Sequence, residues 1–399
     1  MRILNVAQTY FPYLAEGGRP AKVRALSRKL VARGHTVTVL TANLGLSEWS
    51  IGPRLYQETA MGIESREDGV EAIYLPTLTR YRVLTLNPRV IRFCRAHLTQ
   101  FDLVHFYGIY DLLGPIVSHF CRHKGIPYVI EPMGMYRPID RNIHMKRVWH
   151  HTLGRTFWQD AAQIIATSEL EQQELMQDGV PQKKIAMRYN GIDSEPNESV
   201  PARGGFRSKW GISADEPLIL FLSRLIPRKG ADLLIEAFAR ALPDSGRLVI
   251  AGPEGESGYR ALLEKCAQAS GVAARVIFTG PLYGEEKKLV LADADIFALP
   301  SQYENFANVA AEAVASGIPV VVTSLCGISS LVNGRAGLVI SPEKEQLTAA
   351  LTRLLNDKLL YARCKEGCRD LTLQLSWDHL TEQMECYYKG ILAQNNGLR

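Results

Sequence analysis

The sequence has no long, uninterrupted apolar run. Its longest mostly apolar stretch, residues 103–120, is interrupted by His105, Asp111 and His119, whereas a membrane-spanning helix needs about 18 consecutive apolar residues. The first residues also do not form a secretory leader, because they reach Gln8 before an apolar segment develops. We therefore expect a cytoplasmic protein, with any membrane contact limited to the periphery of the inner face.

Cysteines are few and form no recognisable pattern. The chain has 7 cysteines among 399 residues, an odd number, and none stands in a C-x-x-C pair. This scatter is typical of a protein from a reducing compartment. Cys364 and Cys368 fall on one predicted helix, but a structural zinc ion needs a second pair of ligands nearby, which is lacking. We expect neither a disulfide framework nor a metal site.

A strong charge of either sign is lacking as well. The 46 Lys and Arg residues exceed the 41 Asp and Glu residues by only 5. Hydrophobic residues make up 46% of the chain and charged residues 22%, a composition that excludes a disordered or collagen-like protein. The length of 399 residues suggests two or three domains of about 150 residues each.

The small positive surplus is confined to the first half of the chain. Residues 1–193 carry 24 basic and 17 acidic residues, whereas residues 194–399 carry 22 basic and 24 acidic residues. The densest stretch, 137–155, has five Arg or Lys, three His and one acidic residue. It is either a solvated helix face or a surface for an anionic partner, such as a phosphate-bearing acceptor or an anionic lipid leaflet. Nucleic acid is not expected, because no nucleic-acid-binding motif accompanies the charge.

What the sequence does contain is a repeated order of strand, helix and strand. The first half has a β-rich run, a helical pattern and a second strand at 2–7, 20–33 and 36–41, and the second half has the same order at 217–223, 231–241 and 247–251. Further apolar runs follow in both halves, as expected for strands covered by helices on both faces. This order predicts an α/β fold with a parallel sheet in each half.

A polar segment at 190–205, rich in Gly, Pro, Asn, Ser and Glu, separates the halves and has the composition of a linker. We place one domain at 1–193, a second at 204–375 and a C-terminal segment at 376–399, in which a helix spans 377–392. In such a protein the substrate is expected in the cleft between the domains, outside the carboxyl ends of both sheets.

The strongest candidate for a functional site lies at 301–324. An apolar strand ends at Pro300, and a helix is predicted from Asn305 to Ser316, closed by Gly317. Glu304 would then stand at the helix entrance, with Glu312 about 12 Å further along the axis. Between them, the backbone N–H groups of residues 306–308 would offer an anion pocket. The plainer interpretation is that Glu304 is only a helix-entrance residue and Glu312 a solvated one.

Two further loops belong to the same candidate site. Arg224 and Lys229 follow the strand at 217–223, so they lie at the same rim of the sheet as Glu304. Two cations and a helix N-terminus suit a diphosphate. We expect Lys229 to be an exposed loop residue. In the first half, Gly17 and Gly18 would let the backbone approach a ligand closely, but the G-x-G-x-x-G fingerprint of a dinucleotide site is not present.

Five segments, in this order along nearly the whole chain, resemble glycosyltransferase family 4. They are the Gly-Gly loop after the first strand, GHTVTVLT, TSELEQQEL with YNGID, SRLIPRKG, and ENFANVAAE. The most specific parts are the R-x4-K pair of Arg224 and Lys229 and the E-x7-E pair of Glu304 and Glu312. The resemblance implies a retaining enzyme of the GT-B fold. Such an enzyme has two Rossmann-like parallel-sheet domains facing a central cleft, and its C-terminal helix crosses back onto the N-terminal domain.

The resemblance also implies a role for each matching residue. Arg224 and Lys229 would bind the diphosphate of a nucleotide-sugar donor and stabilise it as it leaves. Glu304 would hold the donor sugar, and Glu312 would accept hydrogen bonds from the ribose hydroxyls. The remaining donor-binding residues implied are Gly17, Gly18, Gly252, Pro253, Leu282, Asn305, Phe306, Ala307 and Asn308.

The sequence departs from the family at one position near the reacting centre. Many relatives have a His after the strand corresponding to PYVIEP, whereas this chain has Glu131 followed by Pro. His105 is the nearest alternative by pattern, although a lone His in an apolar strand is more often a packed one. His105, Tyr107, Glu131 and Gly134 are therefore the candidates on the acceptor side.

The resemblance implies transfer of a sugar, with UDP as the expected nucleotide and GDP next, to a glycan or lipid-linked acceptor in polysaccharide or glycolipid synthesis. No residue is placed as a covalent nucleophile, so we expect the leaving phosphate to accept the acceptor's proton, with retention at the anomeric carbon. No cofactor or metal is expected, because Asp293 and Asp295 form a D-x-D that precedes its strand. A nucleotide-sugar epimerase of the same fold and a non-catalytic sugar-nucleotide binder are the alternatives. The oligomeric state cannot be derived from the sequence.

Overall fold

The computed structural model describes residues 1–13, 18–46, 56–81, 84–137, 143–192 and 201–397. The chain forms two compact units, one made of Met1–Gly191 with Trp377–Arg399 and the other of Ile192–Ser376. The sequence placed these divisions at 193–204 and at 375–376. The C-terminal helix is therefore part of the first unit.

The strands of the described residues fall into both units. In chain order they are β1 Arg2–Ala7, β2 Thr36–Ala42, β3 Tyr56–Glu58, β4 Ile63–Glu67, β5 Val70–Leu75, β6 Thr79–Tyr81, β7 Leu84–Leu86, β8 Leu103–Tyr107, β9 Tyr128–Glu131, β10 Gln163–Ala166, β11 Ile185–Met187, β12 Leu218–Leu222, β13 Arg247–Ala251, β14 Val276–Gly280, β15 Ile296–Leu299, β16 Val320–Thr323 and β17 Gly337–Ile340.

The α-helices alternate with these strands. In chain order they are α1 Gly18–Ala32, α2 Arg89–His97, α3 Leu113–Lys124, α4 Ile143–His151, α5 Leu153–Gln159, α6 Glu169–Gln177, α7 Gly205–Trp210, α8 Ala231–Ala241, α9 Tyr259–Ala269, α10 Gly284–Asp293, α11 Asn308–Ala315, α12 Ser329–Val332, α13 Lys344–Asn356, α14 Lys358–Gln374 and α15 Trp377–Gly397.

The first unit is built on a large sheet, which in the described residues has the order β11-β10-β9-β8-β1-β2-β5-β4-β3. Strands β3, β4 and β5 pair antiparallel, and the other neighbours pair parallel. Side chains alternate between its two faces: Leu4 and Val6 enter one apolar cluster, and Ile3 and Ala7 enter the other. Both faces are therefore covered, as the apolar strand sequences predict.

The second unit contains a parallel sheet with the order β14-β13-β12-β15-β16-β17 in the described residues. In each unit the strand order reverses beside the first strand: β1 lies between β2 and β8, and β12 lies between β13 and β15. Ligands of open α/β sheets bind at such reversals, outside the carboxyl ends of the strands. Arg224, Lys229 and Glu304, the strongest candidates in the sequence, follow the two strands at the second reversal, β12 and β15.

Helix α15 is bound to the first unit through both charges and apolar contacts. Lys29, in the last turn of α1, pairs with Asp378 at 2.9 Å, and Arg33, directly after α1, pairs with Glu385 at 2.7 Å. Trp377 is almost fully buried, and Tyr388 is fully buried in the cluster that also contains β1 and α1 residues. Helix α15 thus covers part of one face of the first sheet.

The predicted linker is partly packed structure. Asn190 is buried and accepts a hydrogen bond from Lys22. A Cβ atom on Gly191 would stand 2.3 Å from the Trp377 ring, so only glycine fits under that indole. Residues 193–200 lie outside the described residues, and α7 already begins at Gly205. The start of the linker was therefore placed too early in the sequence, because its polar composition hid these two contacts.

Within the described residues, no helix combines the length and the apolar composition that crossing a membrane requires. The seven cysteines are all free thiols. Cys364 and Cys368 both lie on α14, where both are buried.

Candidate functional site

The loops after β12 and β15 bring Lys229 and Glu304 together. Lys229 ends a short 3-10 turn, Pro227–Lys229, and its ammonium forms an ion pair with the Glu304 carboxylate. Lys229 is only 5% exposed, which corrects the expectation of an exposed loop lysine. An ammonium has three N–H donors, so the contact with Glu304 fixes its direction and leaves donors for a ligand.

Arg224 follows the same strand but is exposed. Its guanidinium has no hydrogen bond or ion pair with any of the residues that the structure describes. A guanidinium offers paired donors in the geometry that phosphate oxygens accept. Arg224 and Lys229 thus differ: one is an available cation at the surface, and the other is held in place by a carboxylate.

Hydrogen bonds to backbone carbonyls tie three loops of this rim to one another. The Glu304 N–H donates to the Leu325 carbonyl at 3.0 Å, and the Gly327 N–H donates to the Glu304 carbonyl at 2.9 Å. The Gln302 N–H donates to the Arg228 carbonyl at 2.9 Å, and the Thr323 hydroxyl donates to the Ser301 carbonyl at 2.5 Å. The loops after β12, β15 and β16 are therefore fixed relative to one another before any ligand binds.

Two glycines allow the close approach of these loops. Gly230 has φ of +72°, and a Cβ atom there would lie 2.5 Å from the Pro300 carbonyl oxygen. Gly252, directly after β13, has φ of +147°, and a Cβ atom would lie 1.8 Å from the Ser223 carbonyl oxygen. No other residue type fits either position without moving the backbone. Gly230 was not among the predicted site residues, although its place between a strand and a helix in RKG is a signal for it.

Helix α11 begins three residues later than predicted. It spans Asn308–Ala315, and its N-cap is Ala307, which has the left-handed conformation with φ of +73°. Asn305, Phe306 and Ala307 thus belong to the loop, and Phe306 and Ala307 are buried. The hydrogen bonds that hold Glu304 extended beside residues 325–327 explain the late start. The first turn of α11, with exposed Asn308, still points its N–H groups out of the helix.

Glu312 lies on α11, and its carboxylate pairs with the Lys287 ammonium of α10 at 2.5 Å. Glu304 precedes the loop residues 305–307 and so does not stand at the entrance of α11, which corrects its predicted position. The pairing with Lys287 was missed, because that residue is far from Glu312 in the sequence and belongs to a helix with a weak amphipathic pattern.

The remaining donor-side candidates follow the next two strands. Gly252 and Pro253 follow β13, where the Leu225 N–H donates to the Pro253 carbonyl at 2.9 Å. Leu282 follows β14 and is buried, while its neighbour Tyr283 is 71% exposed. The carboxyl ends of β12, β13, β14 and β15 therefore all carry candidate residues along one rim.

In the first unit, the Gly-Gly pair is described only in part. Gly17 lies outside the described residues, and Gly18 is the exposed first residue of α1. Gly134 follows β9 with φ of +74° and donates its N–H to the Glu171 carboxylate at 2.5 Å. Because Glu171 also accepts hydrogen bonds from the N–H and the hydroxyl of Thr167, this carboxylate anchors the loop after β9 to that after β10.

His105 is a packed residue of β8. It is fully buried, its Nδ1 lies 2.6 Å from the Tyr388 hydroxyl of α15, and its ring stacks on Tyr107 with centroids 4.1 Å apart. Burial, Arg188 and Lys22 lower the pKa of His105 well below its ordinary value. A neutral, enclosed imidazole does not reach an acceptor, which corrects the placement of His105 and of the equally buried Tyr107 on the acceptor side.

Glu131 is also enclosed. Its carboxylate forms ion pairs with the Lys22 ammonium and the Arg188 guanidinium, and His105 Nε2 lies 3.7 Å away. Glu131, Arg188 and Lys22 are each at most 6% exposed. Glu131 therefore holds α1 and the segment after β11 together and does not face an acceptor. The signal for this network in the sequence is a charged residue within the apolar run PYVIEP.

Asp293 and Asp295 of the D-x-D serve the opposite end of the second sheet. Asp293 accepts the Arg207 N–H at 2.8 Å, and Asp295 accepts the Leu218 N–H and the Arg207 guanidinium, each at 2.8 Å. Leu218 is the first residue of β12, so these carboxylates fix the amino ends of the strands. The part of the chain that the structure describes holds no group of three His, Cys, Asp or Glu side chains arranged for a metal ion.

Taken together, the rim of the second sheet offers an exposed guanidinium, an oriented ammonium, a carboxylate and a helix N-terminus within a set of interlocked loops. Cations and backbone N–H groups at a helix start stabilise phosphate oxygens. Carboxylates such as Glu304 and Glu312 accept hydrogen bonds from hydroxyl groups. The arrangement suits a ligand that carries both phosphate and hydroxyl groups.

Comparisons with known families match both units. Residues 17–191 match the glycosyl transferase 4-like domain, and residues 203–370 match the family described as glycosyl transferases group 1. Together the two matches cover most of the chain, and the first ends at residue 191, where the structure divides the chain.

Whole-chain relatives carry transferase names. The chain is similar to an uncharacterized glycosyltransferase of Methanocaldococcus jannaschii, with 27% identity over 98% of each chain. It is also similar to a GDP-mannose-dependent alpha-mannosyltransferase of Corynebacterium glutamicum, with 26% identity over 98% of this chain and 90% of the relative. A partial match, 33% identical over 42% of this chain and 46% of the relative, is to a GDP-mannose-dependent alpha-(1-6)-phosphatidylinositol monomannoside mannosyltransferase of Mycolicibacterium smegmatis.

Solved structures share the fold over the whole chain. Sucrose-phosphate synthase from Thermosynechococcus elongatus has a TM-score of 0.76 at 20% identity, covering 98% of this chain and 99% of that one. Anabaena HepE, solved in complex with UDP-glucose, has a TM-score of 0.74 at 20% identity, covering 98% and 100%. The fold is the GT-B fold that the motifs predicted.

Proposed function

The chain belongs to the family 4 glycosyltransferases, and on this premise we propose that it transfers a sugar from a nucleoside-diphosphate donor bound at the rim of the second sheet. The observation that carries the proposal is the Lys229–Glu304 ion pair beside the start of α11. It supports the proposal, because an oriented cation stabilises the charge that develops on a leaving diphosphate.

The proposed role of each rim residue follows from the chemistry of its side chain or backbone. Arg224 and Lys229 would hold the diphosphate and stabilise its charge as the bond between the sugar and the phosphate breaks. Preorganised hydrogen-bond donors give their largest stabilisation where charge develops in the transition state. Glu304 and the N–H groups at the start of α11 would hold the donor sugar. Glu312 would accept hydrogen bonds from the ribose, and the loops with Gly252, Pro253 and Leu282 would hold the base. UDP is the first expectation for the nucleotide, and GDP is the second.

The acceptor is proposed to be a glycan or a lipid-linked saccharide. One relative is named for action on a phosphatidylinositol mannoside, which supports the lipid-linked alternative. In the first unit, α4 has no buried residue, and Met145 and Val148 are exposed beside Lys146 and Arg147. Exposed apolar and basic side chains together suit contact with an anionic leaflet. The composition of α4 therefore supports the proposal that the enzyme binds at the membrane surface.

The transfer is proposed to retain the anomeric configuration without a metal ion. The departing phosphate, held by Arg224 and Lys229, would accept the proton of the acceptor hydroxyl as that oxygen attacks the same face of the sugar. Asp293 and Asp295 already accept hydrogen bonds from Arg207 and Leu218. This supports a structural role for the D-x-D pair in place of metal binding. An inverted anomeric centre in the product by NMR, or loss of all turnover in EDTA, would contradict these two steps.

The test is nucleotide release from UDP-, GDP- and ADP-sugars, with and without candidate acceptors. We expect one donor to give release that an acceptor accelerates. Interconversion of the donor without release would identify an epimerase instead, and tight donor binding without turnover would identify a binder.

The variant Lys229→Ala should reduce this release by about 10²–10³-fold, because it removes one preorganised donor to the leaving group. The matched control is Lys209→Ala, which removes a lysine from another Lys–Glu pair of the same unit, with Glu286 at 2.6 Å. Release by the control should match the wild type. Equal release by Lys229→Ala and wild type would remove the basis of the proposal.

A further inference from the structure

A segment of the first unit combines arginines with a complete lack of acidic residues. Between Glu71 and Asp102 the 30 intervening residues contain five arginines and no Asp, Glu or Lys. All formal charges within this segment are therefore positive, although the chain has 41 acidic residues. The structure shows where four of these arginines lie: Arg80 on β6, and Arg89, Arg92 and Arg95 on α2.

Helix α2 turns its arginines outward. Val90, Phe93 and Cys94 are buried against the core, whereas Arg89, Arg92 and Arg95 are exposed. Because residues three apart share a face of a helix, the three guanidinium groups form one row. None of these three groups has an ion-pair partner among the residues that the structure describes. Ile91, 40% exposed, adds an apolar side chain to the same outer side.

The hairpin that precedes α2 presents apolar side chains. Strands β6 and β7 form a two-stranded sheet separate from the large one. Tyr81 pairs with Leu84 and Thr79 with Leu86, so these four side chains share one face. Tyr81 is 65% exposed and Leu86 38%, and Leu78 just before β6 is 74% exposed. Thr85, on the other face of the hairpin, is only 2% exposed, so the face with Tyr81 and Leu86 is the one turned to solvent.

We infer that the exposed side chains of residues 78–81 and 84–86 and of α2, called here the arginine surface, bind an anionic phospholipid bilayer. The guanidinium row would contact lipid phosphates, and Leu78, Tyr81 and Leu86 would enter the headgroup region. A basic row beside exposed aliphatic and aromatic side chains is the composition of an interfacial membrane site. The inference extends the membrane contact proposed for α4 to a second, separate surface.

A bilayer fits these observations better than nucleic acid does. RNA and DNA would also neutralise the arginines, but they offer no environment for the aliphatic side chains of Leu78 and Leu86. Of the exposed side chains named here, Tyr81 alone has a ring on which bases could stack. A bilayer offers phosphates to the arginines and acyl chains to the exposed apolar side chains. It is therefore the favoured partner.

The test is flotation of the full chain with vesicles, without any sugar nucleotide. Phosphatidylcholine vesicles are compared with vesicles of phosphatidylcholine and phosphatidylglycerol in equal parts. The triple variant Arg89→Gln, Arg92→Gln, Arg95→Gln should partition about 100-fold more weakly into the anionic vesicles, because each arginine near the surface contributes about a factor of five. The double variant Leu78→Ser, Tyr81→Ser should also weaken partitioning, but its salt dependence should remain.

The control is the triple variant Arg363→Gln, Lys365→Gln, Arg369→Gln, which removes three exposed charges from α14 of the other unit. It should float like the wild type. The inference is overturned if the Arg89, Arg92, Arg95 variant floats like the wild type, or if the control loses as much binding. It is also overturned if Lys146→Gln, Arg147→Gln alone abolishes flotation, or if a single-stranded RNA oligonucleotide binds the arginine surface and vesicles do not. Flotation requires no turnover, so failure of the transferase assay would leave this result unaffected.

Discussion

At the residue scale, the least expected feature is the set of charges inside the first unit. Lys22, Glu131 and Arg188 are buried together, and His105 joins them as a neutral ring beneath Tyr388. Burial and the Arg188 guanidinium lower the pKa of Lys22 well below its ordinary value. Charges in such a place need their partners, because an uncompensated buried ion costs several kcal/mol.

The variant Glu131→Gln should therefore lower the free energy of unfolding by about 3–5 kcal/mol, since Lys22 and Arg188 lose their shared carboxylate. Urea unfolding followed by circular dichroism measures this change. The control Glu67→Gln breaks the half-exposed pair with Arg24 and should cost at most about 1 kcal/mol. Similar values for both variants would mean that the buried network contributes no more than a surface ion pair.

At the scale of elements, the loops after β12 and β13 depend on a glycine at their contact. Gly252→Ala should lower the free energy of unfolding by more than about 2 kcal/mol, because the new Cβ would lie 1.8 Å from the Ser223 carbonyl oxygen. Gly280→Ala is the matched control: its φ is +73° and nothing lies within 4 Å of the new Cβ, so only the backbone cost of about 1 kcal/mol remains. Thermal unfolding compares the two variants, and equal losses would show that the contact is relieved by a small shift.

A second prediction at this scale concerns the contact between α1 and α15. Hydrogen bonds from Lys389 and Arg33 lower the pKa of Glu385 to about 2, whereas an unfolded glutamate titrates near 4.3. The folded state therefore binds the proton less readily than the unfolded state. The stabilisation by Glu385 is complete above about pH 4.5 and is lost as the pH falls toward about 2.

Urea unfolding at a series of pH values measures this effect. Glu385→Gln should be less stable than the wild type at pH 7 by up to about 1 kcal/mol, and the difference should vanish near the lower end of that pH range. Glu382→Gln, whose carboxylate is 61% exposed and 3.4 Å from Arg33, should show almost no difference at any pH. A gap between Glu385→Gln and the wild type that stays constant with pH would contradict the assignment.

At the scale of the whole molecule, the chain leaves its first unit at Ile192 and returns to it at Trp377. Leu380, Met384 and Tyr388 of the returning helix are each at most 1% exposed. Burial of side chains of this size is worth about 1.5–3 kcal/mol each, and their sum is comparable to the stability of an ordinary domain.

Truncation after Ser376 should therefore unfold the first unit and leave the second folded. Hydrogen exchange measured by mass spectrometry would show loss of protection in β1 and β8 with protection kept in β12 and β15. The control Tyr388→Phe keeps the helix and loses only the hydroxyl near His105, so its exchange should stay close to that of the wild type. Protection of β1 in the truncated chain would show that α15 is dispensable.

Much of this architecture could be predicted from the sequence, and the reasons are local. The strands at β1, β12 and β13 and the helix α8 follow directly from runs such as RILNVA and RLVIA and from apolar spacing. Predictions failed where contacts between residues far apart in the sequence determine the start of a helix or the burial of a side chain. The start of α11 depends on hydrogen bonds from Glu304 to residues 325 and 327, and the burial of Lys229 depends on a carboxylate 75 residues away.

The sequence by itself determined the α/β class, a sheet of mainly parallel strands in each half, the family and the rim at which Arg224, Lys229 and Glu304 stand. These follow from periodicity and from motifs whose residues are close in the chain. Only the tertiary structure decided that Lys229 is held by Glu304, that Glu312 meets Lys287, and that His105 and Glu131 are enclosed. The reason is physical: burial and pairing depend on which elements and loops pack together, and the residues that meet in these pairs are far apart in the sequence.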